Sequence, residues 1–107
     1  MKLVIAIISN DDCPVVLDEL SDAGFRATKL STSGGFLRAG NSTLLIGVEK
    51  DKVDSVISII GEFSSTRKTM VAPMVTSGEF SMASTPIEVN VGGATVFVVD
   101  VDQFYRL

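Results

Sequence analysis

An α+β fold, with two helices on one face of a four-stranded sheet in the chain order βαββαβ, is predicted by three features of this sequence. The first is a short β-branched opening run, KLVIAII at residues 2–8. The second is a pair of apolar patterns at helical spacing, after Asp12 and after Asp51. The third is the stretch FRATKLSTSGGFLRAGNSTLLIG, residues 25–47, in which two apolar strands flank a glycine-bearing loop. That order is the split βαβ arrangement of a ferredoxin-like sandwich.

Residues 2–8 are too few for a helix and read as a central strand buried on both faces. Asn10-Asp11-Asp12, with Pro14 just inside, opens a helix, because carboxylates there meet orphan N–H groups and the positive end of the dipole. The helix runs from about Cys13 to Ala23, with Val16, Leu17 and Leu20 on one face and Asp18, Glu19 and Asp22 toward water; Gly24 ends it. Phe25–Leu30 alternates, so Arg26, Thr28 and Leu30 share one sheet face while Phe25, Ala27 and Lys29 share the other. Ser31–Asn41 is a loop by its glycine, serine and asparagine content, and Thr43–Glu49 returns as a strand. Asp51 is expected to cap a second helix whose Val53, Val56, Ile57, Ile60 and Phe63 fall at helical spacing.

From Ser64 to Pro86 no periodicity holds, which predicts a long loop at about 64–86 inside a single domain spanning 1–107. Val71–Val75 is a candidate short strand interrupted by Pro73. Ile87–Val101 is the final strand system, where Gly92-Gly93 marks a bulge or a close backbone approach.

The helices leave one sheet face bare, yet the strands are apolar on both sides and the mean hydropathy is positive. A second copy of the chain is the expected cover, so the sequence predicts a homo-oligomer with ligand sites in the clefts between subunits. No apolar run reaches the length of a membrane span, and MKLVIAIIS lacks a small-residue cleavage site, so a cytoplasmic protein without membrane insertion is expected. The one cysteine, Cys13, permits no internal disulfide and reads as a small buried side chain. The chain has no histidine, which removes the commonest metal ligand and general base and argues against an enzyme. Asp100 and Asp102 read as a solvated strand edge rather than an acid–base pair.

A net charge of −4 has the wrong sign for a nucleic-acid polymer. A small anionic ligand needs only a local positive cluster, and Arg26, Lys29 and Arg38 lie within one segment. Residues 25–47 supply what a nucleotide requires. Gly34-Gly35 can turn N–H groups toward phosphate, and Phe36 offers a stacking surface beside Leu37. Arg26 suits a phosphate or a purine face, Thr28 a phosphate or amide, and Asn41 the edge of an adenine. The competing readings are an ordinary hairpin loop, a salt bridge for Arg26, a β-former for Thr28 and a turn cap for Asn41.

TKLSTSGGFLRAGNSTLLIGVE together with VNVGGATVFVVDVDQF resembles the PII-like cyclic-di-AMP receptor family, a group of signal-transduction proteins. The resemblance spans nearly the whole chain and implies a ferredoxin-like homotrimer without catalysis or cofactor, holding cyclic-di-AMP in the clefts between subunits. The matched positions imply a ligand site of Arg26, Thr28, Gly35, Phe36, Leu37, Asn41 and Gly47. The family's terminal glutamine is replaced here by the ending Phe104-Tyr105-Arg106-Leu107, a departure from the family pattern in which Arg106 could still reach a phosphate. Ligand binding is expected to change loop conformation and so alter which downstream protein is engaged. The alternative is a PII-type sensor of ATP and a small metabolite, against which the short connection between the second and third strands speaks.

Overall fold

The computed structural model of the chain describes residues 1–30, 40–71 and 87–107. In chain order it contains β1 (Lys2–Ser9), α1 (Cys13–Asp22), β2 (Ala27–Leu30), β3 (Asn41–Val48), α2 (Val53–Ser64), β4 (Arg67–Val71), β5 (Ile87–Val91) and β6 (Ala94–Asp100). Four of the strands form an antiparallel sheet ordered β2-β3-β1-β6. With two helices, this is compatible with the ferredoxin-like arrangement expected.

Alternation along the strands decides where the core lies. Val4, Ala6 and Ile8 of β1 and Leu44, Ile46 and Val48 of β3 point to the helical side and are buried there with Val16, Leu20, Val56 and Ile60. The odd-numbered side chains Leu3, Ile5 and Ile7 are only half-buried. The expectation of a strand covered on both faces is therefore corrected within one chain: the helices lie on one side and leave the other open. On that open side, Thr28, Leu45, Ile5 and Phe97 line up across the sheet, with Phe97 52% exposed.

Helix α1 ends as predicted. Gly24 sits at φ +89°, its N–H bonds Ser21 O at 2.9 Å, and Phe25 N–H reaches back to Leu20 O at 2.8 Å. These two bonds make a Schellman motif, and they bring Phe25 onto the core that holds Leu20. The helix starts differ from expectation. Asp12 occupies the N-cap position of α1 without a side-chain cap bond, because its carboxylate is engaged elsewhere. Asp51 does not cap α2 either: Lys50–Lys52 form a 3₁₀ turn, and Lys52 precedes the helix.

The carboxylate of Asp12, 6% exposed, accepts Arg67 Nη2 at 2.6 Å and Ser9 Oγ at 3.2 Å. The bond from Arg67, aided by Ser9, holds its carboxyl below the ordinary value of 3.8. A carboxyl lowered in the folded state stabilises the fold fully above its unfolded pKa, and that contribution is lost as pH falls through the folded value. Thermal midpoints are expected to drop on acidification below about pH 4, with a shallower drop in Asp12→Asn, a comparison made by calorimetry across a pH series.

The long segment after α2 is not wholly irregular. Arg67–Val71 pairs antiparallel with Ile87–Val91 as a separate two-stranded sheet, so the ends of the stretch are zipped together. Of the candidate strand Val71–Val75, Val71 ends β4 and the rest lies outside the described residues. Gly92 and Gly93, at φ +81° and +95°, turn the chain from β5 into β6. They mark a close approach: a Cβ on Gly92 would lie 2.6 Å from Arg67 Nη1 and 2.8 Å from Ser65 O, and one on Gly93 would lie 2.6 Å from Thr66 Oγ1.

Candidate functional site

The end of the open sheet face near the N-terminus of β1 carries a cavity of about 490 Å³. Its position follows from register. Gly47 of β3 lies opposite Leu3 of β1, Leu45 lies opposite Thr28 of β2, and Arg26 immediately precedes β2. Leu3, Leu45 and Gly47 line the cavity with Met1 and Val101, whose backbone is tied by a 3.2 Å bond from Val101 N–H to Met1 O. Arg26 and Thr28 enter from the β2 side, and Phe104 and Arg106 from the chain end. Gly47 keeps the middle open, since a Cβ there would meet no atom within 4 Å.

An apolar lining with guanidinium groups at its margin is suited to a ligand that is flat and apolar in one part and anionic in another. Among the described residues the ion pairs are Lys2–Asp100 and Arg67–Asp12, so no described carboxylate neutralises Arg26 or Arg106. The pairing of Asp100 with Lys2, which lowers the Asp100 pKa, agrees with its reading as a strand-edge charge. Among the described residues, no cluster of three or more side chains is arranged to hold a metal ion.

Four of the residues singled out from the sequence, Arg26, Thr28, Gly47 and Arg106, line this one cavity. Gly35, Phe36 and Leu37 lie outside the described residues. Asn41 is not in the cavity. It shares the face of Gly47 on β3 but stands six residues away, about 20 Å along an extended strand. There it borders a polar recess with Thr66, Gly92, Gly93 and Thr95.

Sequence reasoning did not single out Leu3, Leu45, Val101 or Phe104. Leu3 and Leu45 come to the cavity through the register of β1 and β2 on β3, which sets them opposite Gly47 and Thr28 and which no local pattern encodes. The contribution of Phe104 depends on where the chain runs after β6, for which no periodicity exists.

Among described residues, no helix is long and apolar enough to cross a membrane. A similar solved structure is that of a functionally unknown protein from Pediococcus pentosaceus, 47% identical, with a TM-score of 0.78 over 99% of this chain and 96% of that one. The cyclic-di-AMP receptor family model matches residues 1–107, the full length of the sequence, and the chain belongs to that family.

Proposed function

We propose that this protein is a signal-transduction receptor that assembles as a homotrimer and binds cyclic-di-AMP in the clefts between protomers, without catalysing a reaction. In this reading one base and its phosphate occupy the cavity of Arg26, Thr28, Gly47 and Arg106. Phe36 and Leu37 pack on adenine, the backbone at Gly35 meets phosphate, and Asn41, outside that cavity, reads the edge of the dinucleotide's other adenine. The observation that carries the proposal is that cavity, where guanidinium groups that no described carboxylate pairs with border an apolar lining in a chain of the cyclic-di-AMP receptor family.

The bare sheet face supports the assembly. Leu30, Phe97 and Val99 are each more than two-fifths exposed on it, beside half-buried Leu3, Ile5, Ile7 and Leu45. Covering such a surface with copies of itself removes the apolar area from water and closes the cavity mouths. Ligand then shifts the arrangement of the loop at 31–39 and of the β4–β5 arm by its differential affinity for their states, which changes the engagement of a downstream protein. The messenger and the protein meet in the cytoplasm.

Titration calorimetry with cyclic-di-AMP, cyclic-di-GMP and ATP tests the reading. Saturable binding of the first, with no competition from ATP, is expected. ATP binding that displaces the cyclic dinucleotide would favour the PII-type alternative, and no binding of cyclic-di-AMP would sink the proposal. Arg26→Ala and Phe36→Ala are each expected to weaken binding by about 1–3 kcal/mol, the scale of a lost charge-assisted bond or stacked base. Near-wild-type affinity in both variants would place the site elsewhere.

A further inference from the structure

Arg67 is the first residue of β4, and its guanidinium spans from the β4–β5 arm to the start of α1. Nη2 bonds Asp12 Oδ1 at 2.6 Å, while Nη1 bonds Asp12 Oδ2 at 3.4 Å and Ser65 O at 3.2 Å. Such a fork fixes orientation as well as distance. The arm has its own two-stranded sheet and, among the described residues, no ladder to the main one. Its two legs join the body through Ser65-Thr66 and through Gly92-Gly93, where Gly93 N–H donates to Ser64 O. Glycines at positive φ are suited to a pivot, and the fork is the side-chain tie that closes across it.

The turn that presents Asp12 is itself bonded to Gly40 and Ser42 at the start of β3. Asp12 N–H donates to Ser9 O at 3.1 Å, Asn10 N–H donates to Gly40 O at 3.1 Å, and Ser42 Oγ donates to Asn10 Oδ1 at 2.5 Å. Gly40 and Ser42 flank Asn41, so one hydrogen-bonded turn is shared by the arm and by the residues that directly follow the segment carrying Gly35, Phe36 and Leu37 in sequence.

We propose that the Asp12–Arg67 fork is a clasp that sets the position of the β4–β5 arm and couples it to the nucleotide loop through the Ser9–Asp12 turn. The coupling rests on the reading that this loop binds cyclic-di-AMP; the clasp itself does not. Arg67 and Asp12 are positioning residues. With the clasp closed, the turn holds Gly40 and Ser42 in place and the loop base is preorganised, so ligand has less ordering to do. By reciprocity, ligand that favours this loop base favours the closed clasp.

The test compares wild type, Arg67→Gln and the charge-free pair Asp12→Asn/Arg67→Gln, the last so that no unpaired carboxylate is left buried. Amide exchange is followed at 67–71 and 87–91 against β1 and β3, with and without cyclic-di-AMP, alongside calorimetric affinity. Both variants are expected to exchange arm amides about tenfold faster with β1 and β3 unchanged. They are also expected to lose ligand-induced slowing of the arm and to bind about fivefold more weakly, the lower end of ordinary coupling. Arm amides that exchange alike in all three proteins overturn the clasp. A faster arm with unchanged affinity and unchanged ligand-induced slowing overturns the coupling. Wild type that binds no cyclic-di-AMP overturns the coupling together with the functional reading, while the exchange comparison still judges the clasp.

Discussion

Gly47→Val is expected to keep or slightly raise the stability of the fold while weakening cyclic-di-AMP binding about ten- to a hundredfold. The two effects have opposite signs because they depend on different surroundings. Within the strand, valine restricts the unfolded chain and suits a pleated surface, a gain of up to ~1 kcal/mol over glycine. A Cβ at Gly47 meets nothing within 4 Å, so no neighbour has to move. For the ligand, the same absence of atoms is the space to be occupied. Filling it with a branched side chain costs a closely packed base about 1–3 kcal/mol. Calorimetric unfolding and ligand titration of one preparation check both halves. Unchanged affinity in a stably folded variant would mean that the ligand does not enter beside Gly47.

Ile5→Lys is expected to convert the proposed trimer to folded single chains and to abolish ligand binding. Ile5 is at the middle of the row Thr28–Leu45–Ile5–Phe97 on the open sheet face. In one chain that position is only half-buried, so a lysine stem can lie along the apolar surface with its ammonium in water. Pressed against a second copy, the same ammonium would be desolvated, at a cost of several kcal/mol per protomer, about enough to dissociate an ordinary interface. Light scattering on the eluted protein should give three times 11.3 kDa for wild type and 11.3 kDa for the variant, with the circular dichroism of both alike. A variant that stays associated would show that this face is not the contact.

What the sequence made legible was whatever repeats with the period of its own element. Alternation in Phe25–Leu30 placed Arg26 and Thr28 on one face, and the register of β2 on β3 then set them beside Gly47 in one cavity on the open side. The spacing of Val16, Leu17 and Leu20, and of Val53, Val56, Ile60 and Phe63, located both helices and the face that each buries, whereas Ile57 of the same series is 38% exposed. Capping was less legible, because a side chain near a helix start has more than one partner within reach. Asp12 takes Arg67, 55 residues along the chain, instead of its own helix, a choice that no local pattern encodes. Pairing of Arg67–Val71 with Ile87–Val91 was hidden for a related reason: it joins strands 16 or more residues apart into a sheet separate from the main one, a choice of partner that no local pattern encodes. Asn41 carried the right chemistry and the right face, but strand length separates it from the cavity, and distance along a strand is counted only once the register is known.

Crystals of the protein grown with cyclic-di-AMP provide the most direct test of where the messenger is held. The dinucleotide is expected in each cleft between adjacent protomers, in contact with Arg26, Thr28 and Gly47. Clefts left vacant beside those residues, with the messenger bound on another surface of the chain, would contradict the account.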